Sequence, residues 1–263
     1  MSILALNWYE YAEQSLTWQR FWREVCNYLP IRGAIEFYSG NLTELVNAGN
    51  YDLAWTCGGD VAVNPNRFMP ITVPIFAHSK LPNGYYKSLI LRRQDVRDAS
   101  LRSLSVGVNY PQSVSGHMAL AKWWFHKTKK NPFNVVLTGA HEASAQALLS
   151  GTIDIAAIDY LGYEFLLRAY PKLAQTCEII GHTDIIPAPP LCIPADTRTN
   201  LELSWRASFE AASKALQSKI IQNHGLGIVG FHSVQASNYR NLSRTLKEQI
   251  SAAQVFIPID RST

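Results

Sequence analysis

At 263 residues, with 47% hydrophobic and only 17% charged side chains, the chain has material for one large domain or two smaller ones. That composition excludes a disordered segment and a small disulfide-stapled scaffold. Twenty-four basic against 20 acidic side chains leave a formal charge of +4, too slight a bias for a polyanion-binding surface, so nucleic acid is set aside as a partner. No run reaches the ~20 apolar residues that a helical span requires, so the chain is not expected to be membrane-spanning.

Ser2 to Leu6 predicts a first strand. From about Glu13 to Leu29, the apolar residues Trp18, Phe21, Trp22, Val25 and Leu29 recur at three- and four-residue steps, which predicts one helix ended by Pro30. Ala34 to Tyr38 reads as a strand, Leu42 to Val46 as a short helix capped by Asn41, and Tyr51 to Thr56 as a strand running into Cys57-Gly58-Gly59. Two β-rich runs, Ile71 to His78 and Tyr85 to Arg93, precede the charged segment Arg93 to Asp98.

A second α/β series then begins. Its strands are Ser103 to Asn109, Phe133 to Thr138 and Ile153 to Asp159, and its helices run from Gly116 to about His126, Glu142 to Ser150 and Gly162 to Ala169. The proline-rich stretch Ile179 to Cys192 is extended, and the tail from Asn200 onward is mostly helical, with Tyr239, Leu242, Leu246 and Ile250 as a last stripe. This order, an α/β half, two crossing strands, a second α/β half and an extended return, is that of one lobe interrupted by another. A small ligand belongs in the cleft between such lobes.

Three strand-to-helix passages carry the chemistry. Val108-Asn-Tyr-Pro-Gln-Ser113-Val-Ser115-Gly116-His117 brings a hydroxyl-rich loop directly to a helix start, where unpaired N–H groups and the positive dipole end favour an anion. The plainer reading makes Ser115 an N-cap only. Thr138-Gly139-Ala140-His141 repeats the geometry and adds an imidazole that can donate to an oxyanion. Ile153 to Tyr160 ends an apolar strand in Asp159, which either accepts a proton from the ligand or caps the next helix. In the first half, Trp8, Tyr9, Thr56 and Cys57 lie at strand ends, where aromatic rings can pack on an organic substituent or simply fill the core.

Other patterns carry less. Gly225-Leu-Gly-Ile-Val-Gly230 matches a dinucleotide fingerprint by letter but follows a helical run, Lys214 to Asn223, and is read as a turn. The four cysteines, Cys26, Cys57, Cys177 and Cys192, form no CxxC pair, and no metal or cofactor motif stands out. A Ser115–His141–Asp159 triad lacks an elbow motif. Met1 to Glu10 has no basic n-region or cleavage site, so a cytoplasmic location follows if Met1 is the true start.

The succession Ala5-Leu-Asn-Trp-Tyr9, Asp52-Leu-Ala-Trp-Thr-Cys-Gly58, Tyr86-Lys-Ser-Leu-Ile-Leu-Arg92, Val108 to Gly116, Gly139-Ala-His-Glu-Ala-Ser144, Gly151 to Asp159 and Ile180-Gly-His-Thr-Asp184 resembles the phosphate/phosphite/phosphonate-binding proteins of ABC transporters. These belong to the type II periplasmic-binding-protein superfamily. The resemblance runs from residue 4 to about residue 232. It implies an α/β, two-lobed fold, each lobe a mostly parallel sheet flanked by helices and joined by two crossing strands, with residues 1–84 and 190–263 in one lobe and 85–189 in the other.

The family likeness also implies a non-catalytic receptor that closes on a small oxyanion, an ABC transporter permease as partner, and a periplasmic location. Residue by residue, it places ligand contacts at Ser113, Ser115, Gly116, His117, His141 and Asp159, and at Trp8 or Tyr9; the strand ends themselves add Thr56, Cys57 and, beside Asp159, Tyr160 as candidates. Val114 stands where the family commonly has a further hydroxyl. Two readings compete. One is a cytoplasmic lyase or synthase with His141 or Asp159 as general acid–base and Cys57 as nucleophile; the other is a ligand sensor on the same fold.

Overall fold

The computed structural model describes residues 1–11, 14–240 and 242. Contacts divide the chain into two units, residues 1–85 with 187–242 and residues 86–186. The first unit opens with strand β1 (Ser2–Ala5), helix α1 (Ser15–Cys26), β2 (Ile35–Phe37), α2 (Leu42–Asn47), β3 (Leu53–Trp55), α3 (Gly58–Val63) and β4 (Phe68–Phe76). The chain passes to the second unit within the short β5 (Tyr85–Tyr86).

The second unit holds β6 (Ser88–Arg93), β7 (Ser105–Val108), a π-helical turn at Val114–Met118, α4 (Ala119–Thr128), β8 (Asn134–Leu137), α5 (His141–Ser150), β9 (Ile155–Asp159), α6 (Tyr160–Ala169), α7 (Leu173–Thr176) and β10 (Cys177–His182). The chain returns within β11 (Ile186–Pro187), which pairs with β5. Strand β12 (Leu191–Pro194), α8 (Thr199–Gln217) and β13 (Ile228–Ser233) complete the first unit.

The first unit's sheet runs β13-β4-β12-β3-β1-β2. Strand β1 lies parallel to both β2 and β3, and β12, β4 and β13 extend the sheet antiparallel. The three- and four-residue stripe of α1 buries Trp18, Phe21, Trp22 and Val25 as the periodicity predicts. The rings of Trp18 and Trp22 meet Trp55 of β3 edge-on at 6.0 and 5.8 Å. Each such side chain contributes roughly 1.5–3 kcal/mol by leaving water. Arg206 of α8 anchors the far side of this sheet through the carbonyls of Pro70, Ile71 and Val234 and the Ser233 hydroxyl.

The second unit's sheet runs β10-β6-β9-β7-β8, with β7 parallel to β8 and β9 and with β6 and β10 antiparallel additions. Its core gathers Ile90, Leu104, Val106, Val108, Leu120, Trp124, Ile155 and Ala157. The parallel core β8-β7-β9 sends all three strand ends toward the same side, so the loops after Val108, Leu137 and Asp159 share one end of the sheet.

Three expectations need correction. The stretch Gly225 to Gly230 is not all turn: α8 stops at Gln217, and Ile228–Ser233 is an edge strand on β4, its apolar residues at 228 and 231 satisfying the sheet. The helix expected from Gly116 starts earlier, in the π-helical turn at Val114. The helix expected from Gly162 starts at Tyr160. Glu13, Leu246 and Ile250 lie outside the described residues.

Candidate functional site

After β7, Tyr110 to Gln112 lead to Ser113, whose extended backbone and side chain make it the cap of the following turn: its Oγ accepts from the Gly116 N–H at 3.1 Å. The capping role expected of Ser115 therefore belongs to Ser113, which leaves the Ser115 hydroxyl free to face elsewhere. The Met118 N–H donates to the Ser113 carbonyl at 3.0 Å, a five-residue closure that widens the first turn before α4. Gly116 has to be a glycine here, because a Cβ would stand 2.6 Å from Asn109 Oδ1 and closer still to Asn109 Cγ and Nδ2. The Ser115 carbonyl accepts from Ser88 Oγ at 3.1 Å.

The second turn follows β8. Gly139 takes φ +91°, and its N–H donates to the Asn109 carbonyl at 2.8 Å. Thr138 Oγ1 donates to the Val108 carbonyl at 3.0 Å and lies 2.6 Å from Ser144 Oγ, which in turn donates to Asn109 Oδ1 at 3.2 Å. The Asn109 side chain thus ties the β7 loop to the start of α5. Ala140 supplies no side-chain cap to α5, so the first-turn N–H groups of that helix have no acceptor from its own N-cap.

These two turns bring Ser115 and His141 together. Ser115 Oγ and His141 Nε2 lie 2.9 Å apart, and Asp159 Oδ2 is 3.5 Å from the same nitrogen. All three side chains are buried, Asp159 at 1% exposure. The other oxygen of Asp159, Oδ1, accepts from the Gly162 N–H at 2.7 Å and caps α6, so the carboxylate has both of the roles weighed for it, helix cap and neighbour of the imidazole. Burial pushes the His141 pKa below the usual histidine value, against the charge of Asp159 and the Ala157 carbonyl, which raise it. The imidazole is accordingly neutral at neutral pH.

His117 is buried in the widened turn, and its Nδ1 lies 2.9 Å from the Pro111 carbonyl, to which it donates. Burial lowers its pKa as well, opposed by the Pro111 and Tyr110 carbonyls. Its ring braces the 110–117 loop. Tyr160 opens α6, and its N–H donates to the Lys87 carbonyl at 2.8 Å. Four polar side chains that hold this cluster were not singled out from the sequence: Ser88, Asn109, Thr138 and Ser144. All four lie inside the quoted segments, but no local pattern gives Ser88 a role; strand pairing sets it opposite Asp159.

In the first unit, Tyr9 is fully buried, with its ring edge-on to Trp55 at 5.2 Å and Phe76 at 5.9 Å. Thr56 Oγ1 donates to Asp60 Oδ2 at 2.9 Å, and Cys57 Sγ accepts from the Gly59 N–H at 3.4 Å as the cap of α3. Packing and capping account for all three positions. Trp8 is half-buried in the turn after β1. All four cysteines are buried free thiols, and burial pushes Cys177 up to about 11 and Cys26 up to about 12. Among the described residues, no group of three or more His, Cys, Asp or Glu side chains is placed to hold a metal ion, and no helix is long and apolar enough to cross a membrane.

The sequence model of the family described as "ABC transporter, phosphonate, periplasmic substrate-binding protein" matches residues 6–239. No curated protein matches the sequence. Among solved structures, a binding-protein component of an ABC phosphonate transporter from Pseudomonas aeruginosa superposes with a TM-score of 0.75 at 19% identity, over 97% of this chain and 87% of that one. PhnD1 from Prochlorococcus marinus, solved with methylphosphonate, gives 0.72 at 16% identity over 98% of both chains. XAC2383 from Xanthomonas citri, solved with ATP, gives 0.66 at 13% identity over 97% and 98%. At these identities the likeness is one of fold.

Proposed function

The chain belongs to the periplasmic phosphonate substrate-binding proteins of ABC transporters, and from that premise we propose that its second unit captures the oxyanion head of a small phosphonate, phosphite or phosphate at the starts of the Val114 turn and α5. The observation that carries this reading is the 2.9 Å approach of Ser115 Oγ to His141 Nε2, which brings a hydroxyl and a ring nitrogen from two strand-to-helix passages to one buried point beside an uncapped helix start. Ser113, Gly116 and His117 shape that point. The methylphosphonate held by the Prochlorococcus protein makes phosphonates the first ligands to try.

Asp159 gives the pocket a chemical preference. A carboxylate 3.5 Å from the neutral imidazole repels a fully deprotonated anion and favours a ligand that brings a proton, either on a P–OH group or on an amine. The protein acts without catalysis in this proposal, delivering its ligand to a transporter permease in the periplasm. Support for the non-catalytic reading comes from the imidazole: Ser115 and Asp159 both approach Nε2, whereas a hydrolytic relay requires the serine on one ring nitrogen and the carboxylate on the other. The Cys57 sulfur, buried and capping α3, offers no accessible nucleophile.

Calorimetric titration with methylphosphonate, phosphite, phosphate and sulfate tests the proposal. Saturable heat with at least one phosphorus oxyanion is expected. Absence of heat with all of them at millimolar concentration overturns it.

A further inference from the structure

Between Asp98 and Glu142 the chain carries no carboxylate, yet it carries Arg102, Lys122, Lys127, Lys129 and Lys130. Lys122 is paired with Asp184. The other four gather at the end of α4. Arg102 Nη2 donates to the Thr128 carbonyl at 3.1 Å, and Lys127, Lys129 and Lys130 flank Thr128, all exposed and, among the described residues, without an ion pair. The flanking carboxylates are engaged elsewhere: Asp98 lies 3.7 Å from Arg97, and Glu142 accepts from the Tyr170 hydroxyl at 2.6 Å.

The turn that carries these cations is ordered. Thr128 Oγ1 donates to the Lys130 carbonyl at 2.6 Å, the Lys129 N–H donates to the Phe125 carbonyl at 2.9 Å, and Lys129 closes the helix with φ +56°. Two large apolar side chains border it in the open: Phe125 in the last turn of α4 is 56% exposed, and Phe133, just ahead of β8, is 94% exposed. Among the described residues, nothing in the packing of this unit explains a phenyl ring left almost wholly in water beside clustered cations.

We propose that the Phe125–Phe133 turn is a docking surface for an anionic lipid bilayer, with the lysines on phosphate headgroups and the two phenyl rings at the headgroup–acyl boundary. Charge complementarity selects the occupant. Lysine is depleted where one protein buries its surface against another, whereas a lysine turn tipped with aromatic side chains suits a surface of mobile phosphates. The placement keeps this surface clear of the oxyanion cluster. Asn134 and Ser105 begin the paired strands β8 and β7, while Ser115 and His141 follow the other ends of those strands, so the two regions occupy opposite ends of the sheet.

The test is co-sedimentation of the full chain with phosphatidylcholine vesicles containing about one-third phosphatidylglycerol, against pure phosphatidylcholine, at low and at 0.5 M salt. With roughly 1 kcal/mol per lysine near such a surface, each Lys→Gln change weakens partitioning about fivefold, so the Lys127→Gln, Lys129→Gln, Lys130→Gln triple variant is expected to lose on the order of a hundredfold. High salt is expected to abolish binding of the parent protein. A dye attached at Phe133→Cys is expected to shift to shorter emission wavelength with the anionic vesicles alone; the native cysteines are buried and stay unlabelled. Retained thermal midpoints check that the exposed substitutions leave folding intact. Absent partitioning at low salt, equal partitioning to neutral vesicles, or an unchanged triple variant overturns the proposal, as does a partner that is an acidic protein while vesicles stay unbound.

Discussion

Gly116→Ala tests whether the close approach of the Val114 turn to Asn109 holds the two strand-to-helix passages together. The new methyl would lie 2.6 Å from Asn109 Oδ1 and nearer to two other side-chain atoms. Asn109 cannot simply swing out, since it is 4% exposed and its Oδ1 receives the Ser144 hydroxyl at 3.2 Å. Relief requires turning the amide away and surrendering that bond. Overpacking costs about 1–3 kcal/mol and a lost buried hydrogen bond about 1 kcal/mol, which together give a destabilisation of about 2–4 kcal/mol. Urea unfolding, read by hydrogen exchange at the amides of β7 and α5, measures it. The double variant Gly116→Ala, Asn109→Ala vacates the space, and its cost is expected to fall short of the sum of the two single costs by at least about 1 kcal/mol. A single-variant effect below about 0.5 kcal/mol, or strict additivity in the double, refutes the reasoning.

Ser115→Ala and His141→Ala are each expected to weaken oxyanion binding by about 1–3 kcal/mol in calorimetry, and by less than the sum when combined, because the two groups meet at one point. The depressed His141 and His117 pKa values predict acid sensitivity. Stability is complete above the unfolded histidine pKa of about 6.5 and declines as pH falls from there through the lower folded-state values, because only the unfolded chain gains the protons readily. Urea midpoints between pH 7.5 and 5.5 check this, and His141→Gln is expected to flatten the slope. In the first unit, Arg206→Met removes the guanidinium hydrogen bonds to the carbonyls of Pro70, Ile71 and Val234 and is expected to cost about 2–4 kcal/mol in thermal or urea unfolding.

Much of the α/β plan was legible because its elements announce themselves by period. The α1 stripe, the apolar run ending at Asp159 and the turn chemistry of Thr138-Gly139 each follow from local sequence, and each forms the element expected. The edge strand β13 was not legible: Ile228 and Phe231 become strand residues through pairing with β4, more than 150 residues earlier, and the glycines at 225, 227 and 230 gave the local pattern of a turn. Among the site residues, Ser115, His141 and Asp159 could be nominated singly, yet their shared nitrogen is a property of how three parallel strand ends align, which no linear spacing encodes.

That alignment also fits the proposed binding role of these three residues better than hydrolysis. A relay polarises serine by setting the imidazole between hydroxyl and carboxylate, one on each nitrogen. Here the carboxylate stands beside the hydroxyl on one nitrogen, and its second oxygen is committed to the α6 amide. In the proposed mode of binding, an anion in that corner would meet a hydroxyl, a ring nitrogen and the first-turn amides of α5, with the Asp159 carboxylate close enough to favour a protonated ligand. Replacing Asp159 with Asn keeps an oxygen for the Gly162 amide while removing the charge, so Asp159→Asn is expected to retain the fold and to relax the preference for protonated ligands. Calorimetry of methylphosphonate from pH 6 to 9 reads this directly. The parent protein is expected to lose affinity as the second ligand proton leaves, while the variant loses less; parallel profiles for the two proteins remove Asp159 from ligand selection.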